Sequence, residues 1–145
     1  MKADIFRRSG VVTAVCLVTA CASSGGMRTT RDPKTHERKI ILIPKTGGGC
    51  RVKDVPSKIG AHNVDDVIWH VKNACDNATH KVEIRIKTGS GDPLDPNCDR
   101  DEEVSAGWGR IFCAIYPSAS AGEYHYAIYM DTSTLLLDPD IEIYQ

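Results

Sequence analysis

Val82-Glu-Ile-Arg-Ile-Lys87 alternates apolar and charged residues without a break. Val82, Ile84 and Ile86 fall in one phase; Glu83, Arg85 and Lys87 fall in the other. A period of two puts the first set on one side of an extended strand and the second on the other, the pattern of a sheet with one buried face and one wet face. The same period recurs on both sides of this stretch. Val67, Trp69 and Val71 share a face within Val67-Ile-Trp-His-Val71, and Ile111, Cys113 and Ile115 form another inward row. Tyr124, Tyr126, Ile128 and Met130 alternate with Glu123, His125, Ala127 and Tyr129, and Ile141 and Ile143 close the chain. Lys39-Ile-Ile-Leu-Ile43 is a short apolar run stopped by Pro44 and the Thr46–Gly49 turn, and Cys50–Val55 alternates imperfectly. Gly60-Ala-His-Asn63 reads as a turn, and Thr88–Glu103, rich in Gly, Pro and Asp, as a loop. No window carries a helical period. Short strands with turn signals between them predict an all-β domain over residues 39–145, a Greek-key β-sandwich or barrel.

The N-terminus has a different grammar. Lys2, Arg7 and Arg8 precede the apolar run Val11–Val18, which is far shorter than the ~20 residues of a membrane-spanning helix. Basic start, short apolar middle and small residues before a cut are the parts of a secretory signal. Val18-Thr19-Ala20-Cys21 resembles the bacterial lipobox. That resemblance implies removal of residues 1–20, a diacylglycerol on the Cys21 sulfur and an acylated new amino terminus. Several acyl chains make a stable anchor where one would not. Ala22 after the cysteine, by resemblance to enterobacterial lipoproteins, implies the outer membrane, facing the periplasm. Residues 21–38 hold one large apolar side chain, Met27, and read as a flexible tether in which His36 is solvated.

Removing residues 1–20 leaves 125 of the 145, enough for one core. Three of the 18 basic and one of the 19 acidic residues leave with them, so the mature net charge is −3. No block of like charge dominates, which argues against a nucleic-acid partner. Cys16 leaves with the signal. Cys50, Cys75, Cys98 and Cys113 then read, in an exported chain, as two disulfides with three possible connectivities. The strand order favours Cys50–Cys75 with Cys98–Cys113. No C-x-x-C pair is present, so neither a redox motif nor a zinc knuckle is indicated.

Three pieces of the strand region carry a family resemblance. Asp66-Val-Ile-Trp-His-Val-Lys-Asn73 resembles the cupredoxin "V-x-W-x-x-x-N". Asn77-Ala-Thr-His-Lys-Val82 is similar to the family's "P-H-x-V", whose histidine binds copper, and Gly122-Glu-Tyr-His-Tyr126 to its "G-x-Y-x-Y/F". "G-x-Y" is shared with immunoglobulin-like domains, the alternative sandwich. The resemblance implies His80 as a copper ligand. It also puts the family's copper cysteine at Ile128, and the Met130–Asp138 segment after it holds no histidine. A blue-copper site needs two imidazoles and a thiolate, so two of the three strong ligands are missing.

Other residues invite weighing. His62, His70 and His125 are expected as exposed or turn residues. Asp92, Asp95, Asp99, Asp101, Glu102 and Glu103 crowd one loop, with Asn97 among them, but lack calcium-loop spacing and read as solvated. There is no G-x-S-x-G, H-E-x-x-H or cysteine with a partner base, so no enzyme is expected. Phe112, Tyr116 and Tyr129 would make a patch for an envelope protein partner if one face gathers them; the alternative is that the 88–103 loop covers that face. The expectation is a non-enzymatic envelope lipoprotein with a binding or structural role and no cofactor; the alternative is copper binding or electron transfer through His80.

Overall fold

The computed structural model describes residues 31–53, 58–87 and 91–145. The signal segment, Cys21 and the first part of the tether lie outside them. The described residues form ten strands and no helix: β1 Thr35–Pro44, β2 Cys50–Lys53, β3 Lys58–His62, β4 Asp66–Asn73, β5 His80–Ile86, β6 Asp101–Val104, β7 Gly107–Ala114, β8 Gly122–Met130, β9 Thr134–Leu137 and β10 Asp140–Tyr144. One sheet runs β2-β1-β4-β7; the other runs β3-β10-β8-β5-β6, with β9 also on β8. Most pairs are antiparallel, but β1 lies parallel to β4 and β3 parallel to β10. The expected all-β sandwich is therefore present.

Its two layers meet through the inward rows that the alternation marks. Ile40, Leu42, Val67, Trp69, Val71 and Ile111 come from the first sheet; Ile59, Val82, Ile84, Tyr126, Ile128, Ile141 and Ile143 come from the second. All are essentially inaccessible to water. A fully buried side chain of this size stabilises by about 1.5–3 kcal/mol, so these rows hold the layers together. Trp69 and Tyr126 meet across the sandwich edge to face, with centroids 5.8 Å apart. The Trp69 indole N–H donates to the Tyr126 hydroxyl at 3.4 Å. Burial pushes that phenol up to about 12. Gly109 on β7 permits the close crossing of β6: a Cβ there would lie 2.4 Å from Glu102 Cγ and 2.6 Å from Val104 Cγ1.

Both favoured disulfides are present. Cys50–Cys75 ties β2 to the end of β4, and Cys98–Cys113 ties the long loop to β7. By chain entropy alone, loops of 25 and 15 residues are worth roughly 3–4 kcal/mol each.

Four boundaries differ from the sequence reading. The first strand starts at Thr35, inside the stretch read as tether, because its backbone pairs with β4 from Thr35↔Asp66 onward. His36 is accordingly not a free solvated side chain: its Nε2 donates to Asp65 at 2.8 Å. Gly60–His62, read as part of a turn, belongs to β3 and pairs with β10. The 88–103 loop contains the start of β6, and the segment after Met130 contains β9.

Candidate metal centre at His80

His80 opens β5, and its ring is nearly buried. The preceding loop is shaped by Asn73, the last residue of the "V-x-W-x-x-x-N" stretch. Its Oδ1 accepts from the backbone N–H of Cys75 at 2.9 Å and of Asp76 at 3.4 Å, and its Nδ2 donates to the Ala78 carbonyl at 2.8 Å. Asp76 Oδ1 in turn accepts from Ala78 N–H at 2.9 Å. The loop thereby aims the Asp76 carboxylate at the histidine.

From the other side comes Asp131, in the turn between β8 and β9. Asp131 and Thr132 both have left-handed backbone, with φ of 50° and 68°. Asp tolerates that conformation better than most residues. Asp131 Oδ1 accepts from Lys81 N–H at 3.0 Å, and Asp131 N–H donates to the Lys81 carbonyl at 2.8 Å. The carboxylate is thus fixed before it reaches the ring.

His80 Nδ1 lies 2.8 Å from Asp131 Oδ2, and Nε2 lies 2.9 Å from Asp76 Oδ1. A carboxylate only accepts, so each contact calls for an N–H, and both together define an imidazolium. The Asp131 hydrogen bond is the largest cause raising the His80 pKa above its ordinary value; burial opposes it and Asp76 adds to it. Asp76 is lowered, first by the Ala78 amide and then, against some desolvation, by His80.

The third neighbour is sulfur. Cys50 Sγ sits 3.6 Å from His80 Nε2 and 3.8 Å from Asp76 Oδ2, but it is bonded to Cys75. Cys50, Asp76 and His80 bring ligand atoms within 4.8 Å of one another. Among the described residues one other group does so: Glu123, His125 and Asp140, on the open face of the second sheet. There His125 Nδ1 is 2.5 Å from Asp140 Oδ1, and Glu123 is 3.3 Å from Lys58 Nζ.

Ile128, at the family's cysteine position, is fully buried and paired with Ile84. Ile84 is four residues from His80, about 13 Å along the strand at ~3.3 Å per residue. The side chain that meets the imidazole from β8's end is Asp131. Asp76 and Asp131 were not singled out in the sequence; Asp131 stands 51 residues from its partner, and no local pattern links them.

The remaining candidates scatter. His62 packs on Tyr144, with centroids 5.6 Å apart, and His70 faces Glu37 at 3.5 Å. In the acidic loop Asp92 binds Arg100 and the Leu94 amide, Asp95 caps Asn97, and Asp101 pairs with Lys81. Of the aromatic set, Phe112 and Tyr116 are exposed near the first sheet's edge with Trp108. Tyr129 lies on the other sheet, stacked under Arg85 at 4.4 Å. The 91–100 loop flanks Phe112 without covering it, leaving a cleft of about 390 Å³ lined by Asp95, Asp99, Arg110 and Phe112.

No family model and no curated protein matches the sequence. Solved structures match in backbone arrangement. A multicopper oxidase is similar over 79% of this chain and 46% of its own, with 14% identity and a TM-score of 0.47. A multi-copper oxidase from Pseudomonas thermotolerans is similar over 77% and 30%, with 15% identity and a TM-score of 0.46. Reduced auracyanin from the photosynthetic bacterium Roseiflexus castenholzii is similar over 79% of this chain and 100% of its own, with 11% identity and a TM-score of 0.45. The chain therefore spans less than half the length of these oxidases. The likeness concerns the strand arrangement alone.

Proposed function

We propose that this is a lipid-anchored envelope protein without catalytic activity, and that its sandwich binds a transition-metal ion at His80. The carrying observation is the division of labour around one imidazole. Asp131 takes Nδ1, the way an outer carboxylate orients a metal-ligating histidine. Nε2 faces Asp76 Oδ1 at 2.9 Å, and the proton between them occupies the place an ion would take. For such nitrogen and oxygen donors Cu(II) stands highest among the divalent first-row ions, so copper is the expected occupant. The anchor is the Cys21 lipid read from Val18–Cys21.

Titration of the purified chain with Cu(II), read by electron paramagnetic resonance, tests this. Coupling to one imidazole nitrogen is expected, and it should vanish in His80→Ala and weaken in Asp76→Asn. An unchanged spectrum in His80→Ala overturns the site. Radiolabelled palmitate should enter the wild type and not Cys21→Ser; a wild type that takes no label removes the anchor.

A second reading, assembly with an envelope protein and no metal, is favoured by Trp108, Phe112 and Tyr116, which are 56%, 44% and 44% exposed. Under it, a photocrosslinker at position 112 would link to one partner and His80→Ala would change nothing.

A further inference from the structure

The sulfur beside His80 is half of a bond whose other half is more accessible. Cys50 is 7% exposed, whereas Cys75 is only partly buried. Cys75 Sγ lies 3.9 Å from Asp76 Oδ2, the oxygen that Cys50 Sγ approaches at 3.8 Å. Cys50 Sγ, the Asp76 carboxylate and a His80 nitrogen thus lie within 4.8 Å of one another, and Cys75 Sγ adjoins them through its bond to Cys50 and its approach to Asp76. As a disulfide the sulfurs are poor ligands. As thiolates they are the softest donors a protein has. We infer that Cys50, Cys75, His80 and Asp76 form a four-donor site for Cu(I) or Zn(II), which the disulfide holds shut. The inference rests on His80 being the metal-facing ligand proposed above.

The chemistry needs a reductant, and the class it fits is a dithiol. Its thiolate attacks Cys75 Sγ, the more open sulfur, and Cys50 leaves as a thiolate. The reductant's second thiol then displaces Cys75 from the mixed disulfide and leaves the reductant oxidised. Two electrons and two protons pass to the cysteines. The ion replaces those protons, which go to solvent. Two sulfurs, one nitrogen and one oxygen suit a tetrahedral ion with no geometric demand of its own. The other disulfide has no such surroundings: the contact of Cys113 Sγ is the Asp99 carbonyl oxygen at 3.8 Å. It serves as an internal control.

The experiment uses the purified full chain, with and without a phosphine reductant, titrated with Cu(I) against a chromophoric chelator. Loss of even an outer-shell partner costs a metal site about 10–100-fold. Reduction is therefore expected to tighten binding about 100-fold or more and to bring a thiolate-to-metal charge-transfer band. Cys50→Ser/Cys75→Ser should lose that gain, and Cys98→Ser/Cys113→Ser should keep it. His80→Gln, which keeps every cysteine, should lose about tenfold or more and guards against a double variant that does not fold. Equal binding by oxidised and reduced chain, abolished by His80→Gln, overturns this inference and leaves the His80 reading standing. Binding of Cu(I) in neither state overturns this inference, and the Cu(II) titration above then decides the His80 reading by itself. A gain that survives Cys50→Ser/Cys75→Ser, or a reduced chain whose circular dichroism has lost its strand signal, also overturns it.

Discussion

Asp65 and His80 are the buried carboxylate and the buried imidazole among the described residues, and they are solved in opposite ways. Asp65, just before β4, is a carboxylate ringed by donors. The backbone amides of Lys34 and His62 reach it at 2.9 and 3.0 Å, His36 Nε2 at 2.8 Å and Arg31 Nη1 at 3.5 Å. Two of those donors are main chain and cannot swing away. Val64 beside it is held at φ 66°, a costly conformation for a β-branched residue, as happens where surrounding bonds overdetermine the backbone. His80 is a cation ringed by acceptors, but the Asp76 and Asp131 side chains are 44% and 48% exposed. Asp65 is sealed into the fold, whereas the carboxylates that hold His80 stand at the boundary with solvent. A buried polar group with buried partners locks a structure; one whose partners reach water is open to exchange of its proton for something else.

The contrast predicts where stability resides. Asp65→Ala leaves two part-buried amides without acceptors and frees the start of β1, so it should cost about 3 kcal/mol. Urea unfolding measures this, and a loss under about 1 kcal/mol would break the comparison. Acid probes the same centre without mutation. Burial alone would raise the Asp65 pKa, but the bonds from His36, His62 and Lys34 and the Arg31 charge outweigh it and bring it from 3.8 to about 2. A depressed carboxylate contributes stability above its unfolded value, and that contribution is lost as pH falls through the folded one. Between about pH 4 and pH 2 the chain should therefore lose about 2 kcal/mol through this group. Asp65→Asn should flatten that part of the curve. His80→Gln in the metal-free protein should cost less, about 1 kcal/mol, because both of its carboxylates regain water when the ring leaves.

The same contrast explains what the sequence could disclose. β4, β5 and β8 are legible because each carries an apolar row at period two that only one sheet face can accept. Thr35–Arg38 carries no such row, since none of its four residues is apolar. It becomes strand through backbone pairing with β4 and the His36–Asp65 bond, 29 residues apart in sequence. β3 was hidden for a related reason: Gly60 and His62 look like turn residues until Ile59 and Ala61 are seen to face inward beside β10. At the candidate site His80 was visible because it stands in a motif-like stretch. Its ring partners were not: Asp131 is far off in the chain, and Asp76, though near, resembles any loop aspartate. The disulfides were accessible through export and strand order. Their closeness to the imidazole is a property of the folded loops alone.

A third pair separates geometry from burial. His125 Nδ1 lies 2.5 Å from Asp140 Oδ1, a contact as close as any around His80 or Asp65. The two residues are cross-strand partners on β8 and β10, so the sheet itself holds them together. Yet the His125 side chain is 57% exposed and its partner 29%. Water there solvates either side chain alone nearly as well as the pair, and salt screens what attraction remains. His125→Ala should therefore change unfolding free energy by about 0.5 kcal/mol or less, against the larger costs at His80 and Asp65. A loss at His125 equal to that at Asp65 would mean that contact distance, and not the supply of replacement water, ranks these three centres. The proposed difference between a sealed group and an exchangeable one would then fall with it.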